Sequence, residues 1–202
     1  MFQELRRRFF SERRVYGLCH ELPSGFGLPE TENTLTVRSL TPEDIPRITD
    51  FFDQQHSEDM HERIVRRRLV DSGVPTCYLV AMANGDLCSM QWLIDEDQNQ
   101  MLDTVFPGEY PRLEQHEMML WYIFMPRKYR EKGILAYAIS EVLKKAKKLN
   151  VTRVTTFIGD RDTALLEACK SVGFVPYLIR TERWRFFRKR LAFEGLSAGL
   201  SL

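Results

Sequence analysis

Residues 118–149 constrain this chain more than any other stretch. An unbroken apolar run, M-M-L-W-Y-I-F-M, leads into a basic turn, Tyr129-Arg130-Glu131-Lys132-Gly133, and then into an amphipathic stretch that reaches Leu149. A run that is apolar at every position suits a strand covered on both faces. In the later stretch Leu135, Ala138, Ile139, Val142, Leu143, Ala146 and Leu149 recur at helical spacing, while Ser140, Glu141, Lys144, Lys145, Lys147 and Lys148 take the other side. The order is strand, tight basic turn, helix. A helix start leaves backbone N–H groups without partners and carries the positive end of the macrodipole, so such a turn attracts anions. Gly133 permits close approach to the backbone, and Arg130 and Lys132 add charge. The same residues also suit a plain solvated connection, and the turn alone does not separate the two readings.

The flanking chain supplies context. Residues 14–22 alternate loosely and read as a short strand, followed by a Pro/Gly-rich linker over 23–29. Residues 1–33 are therefore read as an N-terminal extension, 34–190 as the main domain and 191–202 as a flexible tail. Residues 35–40 alternate as a half-buried strand, and Thr41-Pro42-Glu43-Asp44 announces a helix with a cap, a first-turn proline and acids. A second helix is expected over 58–70. Two apolar segments, 76–82 and 87–94, flank Asn84-Gly85 and predict a hairpin. The polar stretch 95–116, with Pro107-Gly108 and Pro111, predicts a long loop of the functional or mobile kind. Residues 151–158 read as a further strand, Asp160 or Asp162 as the cap of a last helix stopped by Gly173, and 174–187 as one or two returning strands.

Length and charge narrow the function classes. A chain of 202 residues is long enough for one well-filled domain. A net charge of +1 argues against nucleic acid as the partner, since phosphate-backbone affinity needs a large basic excess. Cys19, Cys77, Cys88 and Cys169 have no zinc or redox spacing, so no metal is expected; they read as reduced thiols of a cytoplasmic protein. No apolar run is long enough to imply integral membrane contact. The arginines near the start of the chain read as a solvated basic arm.

The element order, with Y-R-E-K-G-I and the later C-K-S-V-G-F (residues 169–174), resembles the GNAT acyltransferase superfamily over roughly residues 35–187. Arg130 and Gly133 fall on two of the three marked positions of that family's Q/R-x-x-G-x-G/A signature. The resemblance implies an α/β (α+β) fold: a central mixed, mostly antiparallel sheet with a splayed parallel strand pair, flanked by helices on both faces. It implies acetyl-CoA as co-substrate, with backbone groups near Phe124 and Met125 meeting the pantetheine arm. The turn through Arg130, Glu131, Lys132, Gly133, Ile134 and Leu135 would hold the pyrophosphate. Asp162 stands where many members have Asn and is a further cofactor-binding candidate. The implied activity is N-acetyl transfer to a primary amine of a small molecule, an amino sugar or a metabolite; a homodimer is compatible with it. A GNAT-fold coenzyme A-binding or regulatory module is the alternative.

Two departures from the family pattern bear on chemistry. Leu135 stands where Gly or Ala is usual, which implies a tighter or shifted last part of the cradle. Cys169 stands where many members carry the tyrosine that protonates the departing thiolate, and so becomes one catalytic candidate, although a helix-face cysteine also suits a core. Tyr177, Tyr137 and Tyr122 are alternative acids. Glu117, at the start of the apolar strand, is the candidate base, with His116 behind it. Strict alternation would put Glu117 on one face with Met119, Trp121, Ile123 and Met125.

Overall fold

The computed structural model describes residues 8–22, 35–46, 77–125, 129 and 133–196, and eight strands of it form one mixed sheet. They are β1 (Phe10–Glu21), β2 (Leu35–Ser39), β3 (Cys77–Met82), β4 (Leu87–Ile94), β5 (Glu117–Phe124), β6 (Arg153–Gly159), β7 (Val175–Arg185) and β8 (Arg188–Gly195). Their spatial order is β2-β3-β4-β5-β6-β1-β7-β8. Every neighbouring pair is antiparallel except β5 and β6. Among the described residues, α1 (Asn99–Val105), α2 (Ile134–Lys148) and α3 (Thr163–Ser171) accompany the sheet.

Local rules account for the elements seen in the sequence. Gly85, at φ 83°, donates its N–H to the Met82 carbonyl at 2.8 Å and closes the β3–β4 hairpin. The Asp162 carboxylate accepts the Leu165 N–H at 3.3 Å and caps α3, and Gly173, at φ 95°, follows its end. A helical turn begins at Asp44, whose carboxylate takes the Thr41 N–H and hydroxyl. The expected helix over 58–70 lies outside the described residues.

The sheet divides two cores. Val142, Leu143 and Ala146 of α2 and Leu166 and Cys169 of α3 pack with Leu18, Leu120 and Ile158 on one face. Leu102 of α1 joins Trp92, Met119 and Trp121 on the other. Burying large apolar side chains at about 1.5–3 kcal/mol each makes these two layers the main stabilising term.

Four expectations need correction. The N-terminal segment is no appendage: β1 spans 12 residues and lies inside the sheet, paired with β6 on one side and β7 on the other. Gly17 allows it to pass there, because a Cβ at that position would lie 2.7 Å from Leu178 Cγ. The segment 95–116 is not a plain loop, since a 3₁₀ turn and α1 form within it, and the buried Asn99 amide exchanges two 2.9 Å hydrogen bonds with Leu113. The tail continues as the edge strand β8 as far as Gly195, paired with β7 along its length.

The fourth correction concerns the apolar strand. Trp92 pairs with Trp121 and Met90 with Phe124, so Tyr122 and Ile123 together oppose Gln91 alone. Tyr122 has φ 49°, and the extra residue is a β-bulge. Alternation breaks there. Ile123 and Met125 fall on the α2/α3 side, away from Met119 and Trp121.

Candidate active site

The sheet opens where the one parallel pairing among the described strands stops. The β5–β6 ladder joins Glu117, Met118 and Met119 to Arg153, Val154 and Thr155, and ends there, although β5 continues to Phe124 and β6 to Gly159. The splay expected from the resemblance is therefore present. The bulge at Tyr122 adds local twist on the diverging strand. Ser89 donates its hydroxyl to the Phe124 carbonyl at 3.0 Å, which ties the end of β5 to β4. Of the two residues expected to meet a pantetheine arm, Phe124 ends β5. Met125, buried at the end of the strand, follows it.

Beyond the end of β5 comes the start of α2. Gly133 precedes that helix in the left-handed conformation, φ 66° and ψ −1°, and nothing lies within 4 Å of where a Cβ would stand. An L side chain would be strained there, while a ligand can approach the backbone closely. The Gly133 carbonyl accepts the Tyr137 N–H at 3.3 Å, so the N–H groups just before Tyr137 belong to the unpaired first turn of the helix. Ile134 and Leu135 are 3% and 6% exposed, with both side chains in the α2/α3 core. Leu135 therefore does not crowd the turn, which corrects the expectation of a tighter cradle. Arg130, Glu131 and Lys132 lie outside the described residues.

The proposed acid and base are placed elsewhere. Glu117 sits at the joined end of β5 and β6, its carboxylate 3.3 Å from the Arg153 guanidinium and accepting the Glu114 N–H at 3.1 Å. Ile123 lies six residue steps further along the strand, roughly 20 Å at strand rise. His116 lies at the same closed end, where its carbonyl accepts the Thr152 N–H at 2.9 Å. Cys169 is fully buried in the α2/α3 core, and desolvation holds its thiol well above the usual cysteine range. Asp162 is spent on the α3 cap.

The tyrosines differ in position. Burial raises Tyr177, over which the Arg153 guanidinium lies at 4.8 Å, and Tyr137, whose hydroxyl reaches the Leu35 carbonyl at 3.3 Å. Tyr122 stands in the bulge itself, edge-on to Trp92 at 5.9 Å. Of the three it is the one on the diverging part of β5.

A wall that sequence reasoning did not name residue by residue lines the α1 side of the splay. Tyr110 packs edge-on against Phe106, Trp121 and Phe157 at centroid distances of 6.1, 6.1 and 5.2 Å, and Trp121 donates its indole N–H to the Tyr110 hydroxyl at 3.0 Å. The Arg180 guanidinium stacks on Tyr110 at 5.1 Å and donates to the Glu109 carbonyl. Burial raises the Tyr110 pKa, keeping the phenol neutral. The only cue in the sequence was an over-long segment with aromatics beside Pro107-Gly108.

Comparison with solved structures identifies the fold. The chain resembles a GCN5-related N-acetyltransferase from Sphaerobacter thermophilus at 12% identity and TM-score 0.58, over 100% of this chain and 57% of that one. It resembles the GCN5-related glucosamine N-acetyltransferase region of a fungal multi-domain GH3 β-N-acetylglucosaminidase at 13% identity and TM-score 0.65, over 96% and 22%. A putative GNAT-family acetyltransferase from Novosphingobium aromaticivorans matches at 12% identity and TM-score 0.53, over 86% and 64%. The chain thus spans less than two thirds of the length of each of these structures. No family profile and no curated protein matches the sequence. At these identities the likeness is one of fold, and the fold is that of the GNAT acetyltransferases.

Proposed function

We propose that this GNAT-fold chain is an acyl-CoA-dependent N-acyltransferase that moves an acetyl group from acetyl-CoA to a primary amine of a small molecule. The observation that carries the reading is the end of the β5–β6 ladder after Met119 and Thr155, followed by a helix that starts at an open left-handed glycine. An extended thioester carrier fits such a place. The first-turn N–H groups of α2 suit its pyrophosphate, and the diverging backbone around Ile123 and Met125 suits its pantetheine amides. Acetyl-CoA, when bound, supplies the thioester.

The chain's own contribution is positional. The aromatic wall of Tyr110, Trp121 and Phe157 closes the α1 side against water and gives an acceptor a mainly apolar surface with one hydroxyl. Holding an amine against a thioester contributes roughly 7–11 kcal/mol in favourable cases, so transfer does not depend on a side-chain acid. Neither Glu117 nor Cys169 stands at the splay, and Tyr122 is the side-chain hydroxyl best placed beside it. An amino sugar is a reasonable first acceptor to try, because the matched fungal region is a glucosamine N-acetyltransferase.

The committed position of Glu117 and the burial of Cys169 favour one second reading, a coenzyme A-binding module with little transfer. Calorimetry with acetyl-CoA and thiol release against an amine panel that includes glucosamine separate the two. Binding with turnover supports the transferase, and binding without turnover supports the module. If acetyl-CoA does not bind at all, both readings fail.

A further inference from the structure

The β7–β8 hairpin carries an arrangement of charge that its own stability does not explain. Arg183 stands directly opposite Arg190, and Arg185 directly opposite Arg188. Like charges facing each other across an antiparallel pair repel. The four lie on the helix-bearing side of the sheet, because Ile179 is in register with Tyr16 and Ile158, which pack in the α2/α3 core, and alternation from Ile179 leads to Arg183 and Arg185.

Counter-charge on this face is sparse. Glu12 of β1 accepts from Arg183 at 2.9 Å and lies 4.0 Å from Arg185, which also donates to the Ser11 and Trp184 carbonyls. Arg188 and Arg190 are exposed and meet no acidic partner among the described residues. Further along the same face stand Arg14, in register with Thr181, and Glu194, in register with Ile179. The other face is different. There Lys189 pairs with both Glu109 and Glu182, and Arg180 with Glu109. The hairpin thus neutralises its cations on one side and gathers unneutralised ones on the other.

Shape and aromatic exposure add to the charge. A groove of about 770 Å³ is lined by these four arginines together with Thr181 and Phe186. Phe186, in the hairpin turn at φ 49°, is 70% exposed, and Phe10, under the Arg185 guanidinium at 3.8 Å, is 67% exposed. Arginines beside exposed aromatic faces match a ligand that has phosphates and a flat ring, through charge-assisted hydrogen bonds and stacking.

We propose that this face of the hairpin binds a nucleotide carrying at least two phosphate groups, with the phosphates on Arg188 and Arg190 and the base on Phe186. The site is separate from the β5–β6 splay. It stands whether or not the chain transfers acyl groups.

Calorimetric titration of the whole chain with ADP and with inorganic pyrophosphate tests the proposal. ADP should bind, and the double variant Arg188→Gln/Arg190→Gln should weaken it by at least about tenfold. Phe186→Ala should weaken ADP and leave pyrophosphate unchanged. The ligand-free double variant should melt no lower than the wild type, because two repulsive pairs are relieved. Its affinity for phosphopantetheine, the part of coenzyme A that lacks the nucleotide diphosphate, should not move. No ADP binding, or equal binding by the double variant, overturns the proposal. So does a parallel loss of phosphopantetheine affinity, which would make the groove part of the splay site. A single-stranded oligonucleotide or anionic vesicles held more tightly than ADP would give the face to a macromolecular partner and overturn it as well.

Discussion

Glu117 and Arg153 face each other across the only parallel pairing among the described strands, in register and with their charged groups 3.3 Å apart. The pair clamps β5 to β6 immediately before the two diverge, and the Glu117 carboxylate is only 10% exposed. Its place makes it a hinge pin for the splay. Glu117→Gln should therefore lower stability by about 1–3 kcal/mol in urea denaturation, the range for a buried charge-assisted hydrogen bond, while leaving any turnover unchanged. A fall in turnover with unaltered stability, and loss of the rising limb of its pH profile, would restore Glu117 as a base.

Among the described residues, Tyr110 is the acceptor of the Trp121 indole N–H. Tyr110→Phe keeps the ring and strands that donor in the wall, at a cost of about 1–3 kcal/mol. Thermal or chemical denaturation measures it. An unchanged midpoint would show that the indole finds another partner.

Leu135→Gly separates the sequence expectation from the structure. If Leu135 crowded the cradle, glycine would tighten acetyl-CoA binding. Because its side chain fills the α2/α3 core, the substitution should instead destabilise by about 3–5 kcal/mol, from a core cavity plus glycine inside a helix. Affinity should not improve in calorimetry on whatever fraction stays folded.

Asp44 is held by both Arg38 guanidinium nitrogens, at 2.6 and 2.7 Å, and by Thr41. The Arg38 hydrogen bonds come first among the causes that lower its pKa far below the usual carboxylate range. With the folded value depressed, the stabilisation is fully present above the unfolded value near 3.9 and is lost as pH falls toward the folded one. Asp44→Asn should therefore be less stable than wild type by a constant margin above about pH 5, narrowing below about pH 4. A margin that stays constant down to pH 2 would contradict this.

All four cysteines are buried, and desolvation pushes Cys77 up to about 12 and Cys88 up to about 11. Thiol reagents at pH 8 should label none of them in the folded chain and all four in denaturant. Rapid labelling of Cys169 in the native state would reopen its candidacy as an acid.

Local chemistry in the sequence determined much of the fold. Alternation, the Asn84-Gly85 turn, the Asp162 cap, the apolar β5 run and the α2 stripe each arise from residues close in the chain, so each could be read directly. So could the glycine-led helix start. Tertiary structure decided what depends on distant partners. β1 enters the sheet interior only because β6 and β7 supply ladders on both sides of it. One extra residue at Tyr122 reverses the faces of Ile123 and Met125, and no periodicity within an all-apolar run can reveal it. Glu117 became half of an ion pair, and Cys169 a core thiol, because Arg153 and the α2/α3 layer arrive from elsewhere in the chain. Propensity and capping act over a few residues. Register, burial and charge pairing depend on which strands meet, and only the folded chain brings those strands together.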